Sequence, residues 1–122
     1  MVKALFDTNI LIDYLNAVPQ ARSELQRYSE KAISIVTWME VMIGAGEDVE
    51  AATRAFLASF DVVGVDSQVA ERVVQLRRSH RVRLPDAVIW ATAQTRAMLL
   101  VTRNTRDFAG TGARLLDPWQ AA

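Results

Sequence analysis

The chain has 122 residues, of which 51% are hydrophobic and 23% charged, and its formal net charge at pH 7 is zero. This composition excludes a disordered chain, and the length predicts a single domain, residues 1–122, with a true hydrophobic core. The absence of cysteine excludes disulfides and thiolate metal sites, and a single histidine, His80, argues against a histidine-rich zinc site or a Ser-His-Asp triad.

The sequence carries no sign of membrane insertion or export. No apolar run approaches the length of a transmembrane helix, and the N-terminal apolar stretch meets Asp7 too early for a secretory signal. We therefore expect a cytoplasmic protein with no membrane partner.

Segments typical of strands and of helices alternate along the chain. The strand-like apolar runs are Lys3–Phe6, Ala32–Val36, Val62–Val65, Leu99–Thr102 and Arg114–Leu116. The helical patterns between them are Ile10–Asn16, Gln20–Ser29, Trp38–Ala45, Glu50–Phe60, Ser67–Arg78 and Asp86–Met98. This alternation predicts an α/β fold with three layers, α/β/α, around a mostly parallel sheet of about five strands. In such sheets, sites form beyond the carboxyl ends of the strands.

Three acidic residues stand out by their apolar surroundings. Glu40 and Asp86 each lie within an apolar stretch, and Asp7 directly follows one. An ionised carboxylate is costly to bury without a positive partner, so three that converge would need a metal ion. Clusters of carboxylate oxygens suit Mg²⁺ or Mn²⁺. The pattern therefore predicts a metal-dependent phosphoryl-transfer enzyme.

Each of these acids also has a purely structural interpretation. Asp7 would cap the following helix, and Asp86 would sit favourably in the first turn of a helix that begins near Pro85. Glu40 would complete a capping box with Thr37 as the N-cap residue. These interpretations remain open, and the argument for a shared site rests on where the acids fall in the fold.

The basic residues are mostly arginines, and their densest cluster surrounds His80. Its members are Arg77, Arg78, Arg81 and Arg83. Guanidinium groups match phosphate oxygens, so the cluster is a candidate RNA-binding surface. Alternatively, it marks a solvated helix end, because arginines near a helix C-terminus complement its dipole.

Four motifs in chain order together resemble a known family. They are Leu5-Phe6-Asp7-Thr8-Asn9-Ile10-Leu11-Ile12, Ser34-Ile35-Val36-Thr37-Trp38-Met39-Glu40-Val41, Leu84-Pro85-Asp86-Ala87-Val88-Ile89-Trp90-Ala91 and Leu100-Val101-Thr102-Arg103-Asn104-Thr105-Arg106-Asp107-Phe108. In this order they resemble the motifs of PIN-domain ribonucleases, in particular the VapC toxins of bacterial toxin–antitoxin pairs. The resemblance extends essentially from end to end.

The resemblance implies a fold, an activity and a site. Asp7, Glu40 and Asp86 would hold Mg²⁺ or Mn²⁺ in a cytoplasmic endoribonuclease, usually dimeric and neutralised by a small antitoxin. The family often has an acid where this chain has Asn104, so either Asn104 or the nearby Asp107 would complete the site, Asp107 from an outer shell. One- and two-metal chemistry both remain open.

The neighbouring polar residues and the partners also have expected roles. Thr8, Asn9 and Thr102 would contact phosphate or water, or serve only as caps and turns. We expect a homodimer, because the predicted helices carry many apolar residues, including Leu11, Leu15, Trp38 and Met42. We also expect an antitoxin segment to place a basic side chain among the acids.

Two other function classes compete with the nuclease. A haloacid-dehalogenase-type phosphotransferase also begins with an aspartate after its first strand, but it needs a second aspartate where this chain has Asn9. A non-catalytic PIN-like binding domain would instead fill the acidic pocket with Arg103 or Arg106. A dinucleotide-binding module is disfavoured because no Gly-x-Gly-x-x-Gly follows a strand.

Overall fold

The computed structural model describes residues 2–104, Phe108, and the backbone of residues 115–116. Five strands form one sheet in the order β3-β2-β1-β4-β5, and every neighbouring pair is parallel. The strands are β1 (Ala4–Phe6), β2 (Lys31–Ser34), β3 (Asp61–Val63), β4 (Leu99–Val101) and β5 (Leu115–Leu116). The predicted parallel sheet of about five strands is therefore confirmed, with end points shifted by up to two residues.

Between residues 2 and 104, six α-helices lie between or beside these strands. They are α1 (Thr8–Leu15), α2 (Pro19–Gln26), α3 (Ile35–Gly44), α4 (Glu50–Leu57), α5 (Ser67–Ser79) and α6 (Leu84–Thr95), and a short 3₁₀ helix covers Glu47–Val49. Local residues mark several helix ends: Pro19 opens α2, Asp66 caps α5 by accepting from the Val69 N–H at 2.9 Å, and α3 ends at Gly44.

The start of α3 differs from the prediction. The helix begins at Ile35, and its N-cap is Ser34, whose Oγ accepts from the Val36 N–H at 3.1 Å. The capping box with Thr37 as N-cap was therefore wrong, and Thr37 lies inside the helix. The β-branched pair Ile35-Val36 suggested a longer strand, but a serine able to satisfy a free N–H of the first turn starts the helix earlier.

Two apolar cores, one on each face of the sheet, confirm the three-layer arrangement. Leu5, Ala32 and Leu100 pack with the residues of α5 and α6 on one face. Their strand neighbours, such as Phe6 and Ile33, pack with α1 to α4 on the other. Because successive strand residues point to opposite faces, β1, β2 and β4 each contribute to both cores.

The apolar helix residues on which the homodimer prediction rests are divided between core and surface. Leu11 is fully buried in the core of the α1–α4 face, so it is not available to an interface. Trp38 and Met42 are partly buried against the same core, whereas Leu15 is 44% exposed. In the part of the chain that the structure describes, no helix is long and apolar enough to cross a bilayer.

The direction in which the sheet is wound reverses between β1 and β4. The chain runs from β1 through β2 to β3 on one side, and it then returns to add β4 on the other side of β1. Phe6 on β1 is in register with Val101 on β4. The residues that follow these strands, Asp7 and Thr102, therefore meet where the direction of winding reverses, which is the usual place for a site in a parallel sheet.

Candidate metal centre

Asp7 lies at this reversal point and is held by three donors. Its side chain is buried, with only 5% of the residue exposed. The backbone N–H of Thr8 donates to its Oδ1 at 2.7 Å, while the hydroxyl of Thr102 and the amide of Asn9 donate to its Oδ2 at 2.7 and 3.3 Å. Asp7 is also the N-cap of α1, which confirms its structural interpretation and is compatible with a role in a site.

The electrostatics of Asp7 show that the three predicted acids share one region. Burial raises the pKa of Asp7 above its usual value, and the charges of Asp86 and Glu40 raise it further. Hydrogen bonds from Thr102 and Thr8 oppose this rise in pKa. Since the charges of Asp86 and Glu40 act on the pKa of Asp7, the three carboxylates lie within electrostatic range of one another.

Glu40 reaches this region from α3 and is fixed through a neighbouring helix. The hydroxyl of Thr8 donates to Glu40 Oε1 at 2.6 Å, and the same hydroxyl oxygen lies 2.9 Å from the Oγ1 of Thr37. Thr37 is fully buried, whereas Glu40 is exposed. Two threonine hydroxyls therefore orient an acid that solvent would otherwise leave free to rotate.

Asp86 enters from the first turn of α6, where its negative charge complements the helix dipole. Arg83, the N-cap residue of the same helix, forms an ion pair with Asp86 Oδ2 at 3.3 Å. The Arg83 side chain is 81% exposed, so this pair contributes little to stability. The ion pair does, however, hold Arg83, a member of the arginine cluster, beside Asp86.

The donor set fits a hard divalent cation, although the side chains do not form a closed cage. Within the described residues, no three histidine, cysteine or acidic side chains are close enough together to hold a metal ion. However, the three acids offer only oxygen atoms, and neither Asp7 nor Glu40 forms a salt bridge within that part of the chain. Separated carboxylate oxygens suit Mg²⁺ or Mn²⁺, because these ions retain several waters as ligands.

The remaining predicted polar residues hold the loop after β4 in place. Asn9 Oδ1 accepts from the backbone N–H of Arg103 at 3.3 Å, and the Arg103 guanidinium pairs with Asp13 of α1 at 2.8 Å. The backbone N–H of Asn104 donates to Thr102 Oγ1 at 3.0 Å. Asn9 and Thr102 thus have structural contacts, and Arg103 is tied to α1. Asp107 and Arg106 lie outside the described residues.

The arginine cluster follows the end of α5 and leads into α6. Arg77 and Arg78 occupy the last turn of α5, and Arg77 donates to the carbonyl of Val82 at 2.8 Å. Arg77 therefore fixes the connecting loop, whereas Arg78 and Arg81 are exposed to solvent. The dipole interpretation applies to the first two arginines, and the last two members stand nearer the acids in sequence.

The sequence analysis missed one surface feature. An apolar groove of about 550 Å³ lies between α1, α3 and α4. Its lining includes Ile12, Leu15, Val41 and Val49. The apolar positions of these helices were visible in the sequence, but only the packing shows which of them line a groove.

Comparison with known proteins identifies the class to which this fold and site belong. Residues 4–113 match the PIN domain, so the chain belongs to the PIN-domain family. It is 30% identical to a protein of Shigella flexneri named tRNA(fMet)-specific endonuclease VapC, over 98% of this chain and 99% of that one. A Salmonella typhimurium protein of the same name is 27% identical over the same shares.

Solved structures agree with this assignment. A chain of a toxin–antitoxin complex from Klebsiella pneumoniae superposes with a TM-score of 0.90 at 45% identity, covering 95% of this chain and 98% of that one. A chain of DNA-bound VapBC from Salmonella typhimurium gives a TM-score of 0.81 at 27% identity, covering 97% and 99%. The resemblance inferred from the four motifs is confirmed.

Proposed function

We propose that this chain is an Mg²⁺- or Mn²⁺-dependent endoribonuclease and the toxin of a toxin–antitoxin pair in the cytoplasm. The observation that carries the proposal is the buried carboxylate of Asp7 at the reversal point of the sheet, with the charges of Glu40 and Asp86 close enough to raise its pKa. A divalent cation would relieve this repulsion. The similar proteins named endonucleases add weight to a nuclease over a phosphotransferase.

The residues have distinct parts in the proposed reaction. Asp7, fixed by three donors, and Asp86 would hold the ion, and Glu40 would bind it or orient the attacking water. When bound, the ion supplies a water of lowered pKa and neutralises charge on the phosphate. The N-termini of α1 and α6 carry Asp7 and Asp86, and their positive dipole ends favour the phosphate of an RNA backbone.

Transfer RNA is the first substrate to test, because two relatives are named for tRNA(fMet). Purified protein should cleave RNA in Mg²⁺ or Mn²⁺ and stop in excess EDTA. Asp86→Asn should abolish cleavage while leaving the circular dichroism spectrum unchanged. Initiator tRNA, elongator methionine tRNA and total RNA, assayed side by side with mapped ends, would define the specificity. Full cleavage in EDTA would contradict the metal role.

The second candidate is a non-catalytic PIN-like binding domain. The ion pair of Arg83 with Asp86 favours it, since a cation already contacts one of the acids. Metal titration separates the two candidates. A binding domain with a filled pocket would take up no Mn²⁺ in calorimetry, whereas the nuclease should bind it and lose affinity in Asp7→Asn.

An antitoxin partner is supported by the apolar groove and the charges beside it. Ile12, Leu15 and Val49 line the groove and are 41%, 44% and 46% exposed. Val49 stands among acids, with Glu47, Asp48 and Glu50 around it in sequence. We infer that an amphipathic antitoxin segment with basic residues lies here and extends a cation towards Asp7. The Klebsiella pneumoniae neighbour belongs to a toxin–antitoxin complex, which agrees with such a partner.

Paired surface variants would test this partner site. Val49→Asp should weaken binding of the antitoxin encoded beside the gene, because it places a charge in the apolar groove. Val74→Asp is a matched control, since Val74 is 45% exposed but lies on α5, away from the groove. Equal affinities of both variants would place the antitoxin elsewhere.

We also propose that the chain forms a homodimer. Ile43 on α3 is 83% exposed, and Leu84 at the start of α6 is 56% exposed, both large for apolar side chains. Sedimentation at about 50 μM, a concentration that detects weak association, should show a dimer. A monomer at this concentration would contradict it.

A further inference from the structure

A chain of two threonine hydroxyls leads from the protein interior to Glu40. Thr37 is fully buried, and its Oγ1 lies 2.9 Å from that of Thr8, which in turn lies 2.6 Å from Glu40 Oε1. Thr37 and Glu40 belong to α3, whereas Thr8 is the first residue of α1. The connection therefore passes from one helix to another and back.

The direction of this chain follows from counting protons. An ionised carboxylate can only accept, so the single hydroxyl proton of Thr8 points to Glu40. Thr8 then has only acceptor capacity for Thr37, and Thr37 must donate to it. A hydroxyl that accepts one hydrogen bond becomes a stronger donor in the next.

Thr8 also connects two of the acids. Its backbone N–H donates to Asp7 Oδ1 at 2.7 Å, while its hydroxyl donates to Glu40. One residue thus sets the separation and orientation of two carboxylates. The backbone N–H of Thr8 is fixed by the helix, whereas its side-chain hydroxyl can rotate. Thr37 limits this rotation through its contact with the hydroxyl.

We propose that Thr37 is a positioning residue that acts through Thr8 to hold the Glu40 carboxylate in its working orientation. The proposal rests on the proposed endoribonuclease function, because Glu40 is taken to serve the metal or the attacking water. Glu40 is exposed, so without this restraint its long side chain would sample several rotamers.

The experiment compares Thr37→Val, which keeps the shape and removes the hydroxyl, with Thr37→Ser, which keeps the hydroxyl. Thr92→Val is the matched control: Thr92 is also fully buried in a helix, but its hydroxyl donates to the Val88 carbonyl at 2.7 Å. We expect Thr37→Val to lower kcat about tenfold, the effect of one lost hydrogen bond, with KM within about twofold. Thr37→Ser and Thr92→Val should remain near the wild type.

Two further measurements keep the test independent of cleavage. Mn²⁺ affinity, measured by calorimetry, should fall in Thr37→Val, and this loss should disappear in a Glu40→Gln background because both changes act on the same group. Thr37→Cys, which offers only a weak donor, repeats the test if the valine variant does not fold.

The outcomes distinguish the positioning role from the proposed function. Wild-type values of kcat and Mn²⁺ affinity in both Thr37→Val and Thr37→Cys would overturn the positioning role and leave the nuclease intact. Additive losses with Glu40→Gln would also overturn it. A wild-type protein that binds Mn²⁺ but cleaves no RNA would overturn the proposed function, while the Mn²⁺ titrations would still decide whether Thr37 positions Glu40.

Discussion

Thr102 and Asp7 are 95 positions apart in sequence, yet the hydroxyl of Thr102 donates to Asp7 Oδ2 at 2.7 Å. The same hydroxyl oxygen accepts from the backbone N–H of Asn104 at 3.0 Å. Both side chains are buried where β1 and β4 end side by side. One hydroxyl thus joins the first and last motifs of the sequence and opposes the rise in the pKa of Asp7 that burial causes.

Removing this hydroxyl should weaken both the fold and the metal site. In Thr102→Val, Asp7 loses a donor and the Asn104 N–H loses its acceptor. We expect a loss of about 1–3 kcal/mol in the free energy of unfolding, the usual effect of leaving buried polar groups without partners. Urea denaturation in EDTA measures this loss, and Mn²⁺ calorimetry should show weaker binding. Thr102→Ser, which keeps the hydroxyl, should retain most of the stability and most of the Mn²⁺ affinity of the wild type.

Asp7→Asn should abolish cleavage but stabilise the metal-free protein near neutral pH. The pKa of Asp7 is raised above its ordinary value of 3.8, chiefly by burial, so the folded state binds this proton more tightly than the unfolded state does. Its ionisation therefore removes stability as the pH rises above 3.8 through the folded-state pKa.

Melting temperatures in EDTA from acidic to neutral pH would test this sign. The advantage of Asp7→Asn over the wild type should be absent below the ordinary pKa and grow above it. The opposite result would be a melting temperature of Asp7→Asn that falls relative to that of the wild type between pH 3 and pH 7. It would show that the hydrogen bonds from Thr8 and Thr102 outweigh the burial of the charge.

Asn104→Asp should tighten metal binding. Its backbone is anchored to Thr102, which contacts Asp7, so position 104 lies beside the acidic site. An additional carboxylate attracts a divalent cation and adds repulsion when no ion is bound. We expect tighter Mg²⁺ binding, cleavage at lower metal concentration and a lower melting temperature in EDTA.

Calorimetry and a cleavage assay on one RNA measure these effects together. Unchanged Mg²⁺ affinity would place position 104 beyond the reach of the metal. In the same assay, Asp107→Ala should impair cleavage less than Asp86→Ala, in keeping with an outer role for Asp107.

The exposed arginines Arg78, in the last turn of α5, and Arg81, just after it, should contribute to RNA binding without supporting the fold. Replacing both Arg78 and Arg81 by alanine should raise KM and leave the melting temperature unchanged. Each phosphate contact on a single strand contributes about 0.7 to the steepness of log affinity against log salt. If both arginines contact a phosphate, the double variant should have a slope that is less steep by about 1.4. Arg77→Ala provides the contrast, because Arg77 holds the Val82 carbonyl and its loss should lower stability. An unchanged salt slope in the double variant would show that Arg78 and Arg81 do not contact the RNA.

Replacing either of two alanines that adopt a left-handed backbone conformation by glycine should stabilise the protein. Ala17 and Ala97 have φ of 62° and 53° at the ends of α1 and α6. After each helix the backbone makes the same pair of bonds: Ala17 and Val18 donate to the carbonyls of Tyr14 and Asp13, and the end of α6 repeats this pattern. This C-terminal motif favours glycine at the left-handed position.

Ala17→Gly and Ala97→Gly should therefore each stabilise the protein by about 0.5–1 kcal/mol in chemical denaturation, because glycine has no Cβ penalty there. Ala70→Gly, at an exposed position with helical φ within α5, should instead destabilise by a similar amount. Destabilisation by both of the first two changes would mean that the entropy of the unfolded chain outweighs the relief of strain.

The sequence by itself determined the layered fold and singled out three candidate acids. Alternating apolar runs and helical patterns are local properties, and the type of each element depends mainly on them, which is why the α/β architecture was predictable. Asp7 was recognisable because it follows a strand, and Asp86 because it follows Pro85 at a helix start. The order of the motifs was enough to indicate the PIN domain.

Only the tertiary structure decided how these residues meet. The sequence does not record that β4 adds beside β1, and it is this pairing of distant segments that brings Thr102 to Asp7. The misplaced start of α3 hid the contact of Thr37 with Thr8, because Ser34 and Thr37 are both acceptable caps locally. Local propensity cannot choose between such near-equal options, and only the packing of α3 against α1 shows that the two threonine hydroxyls meet.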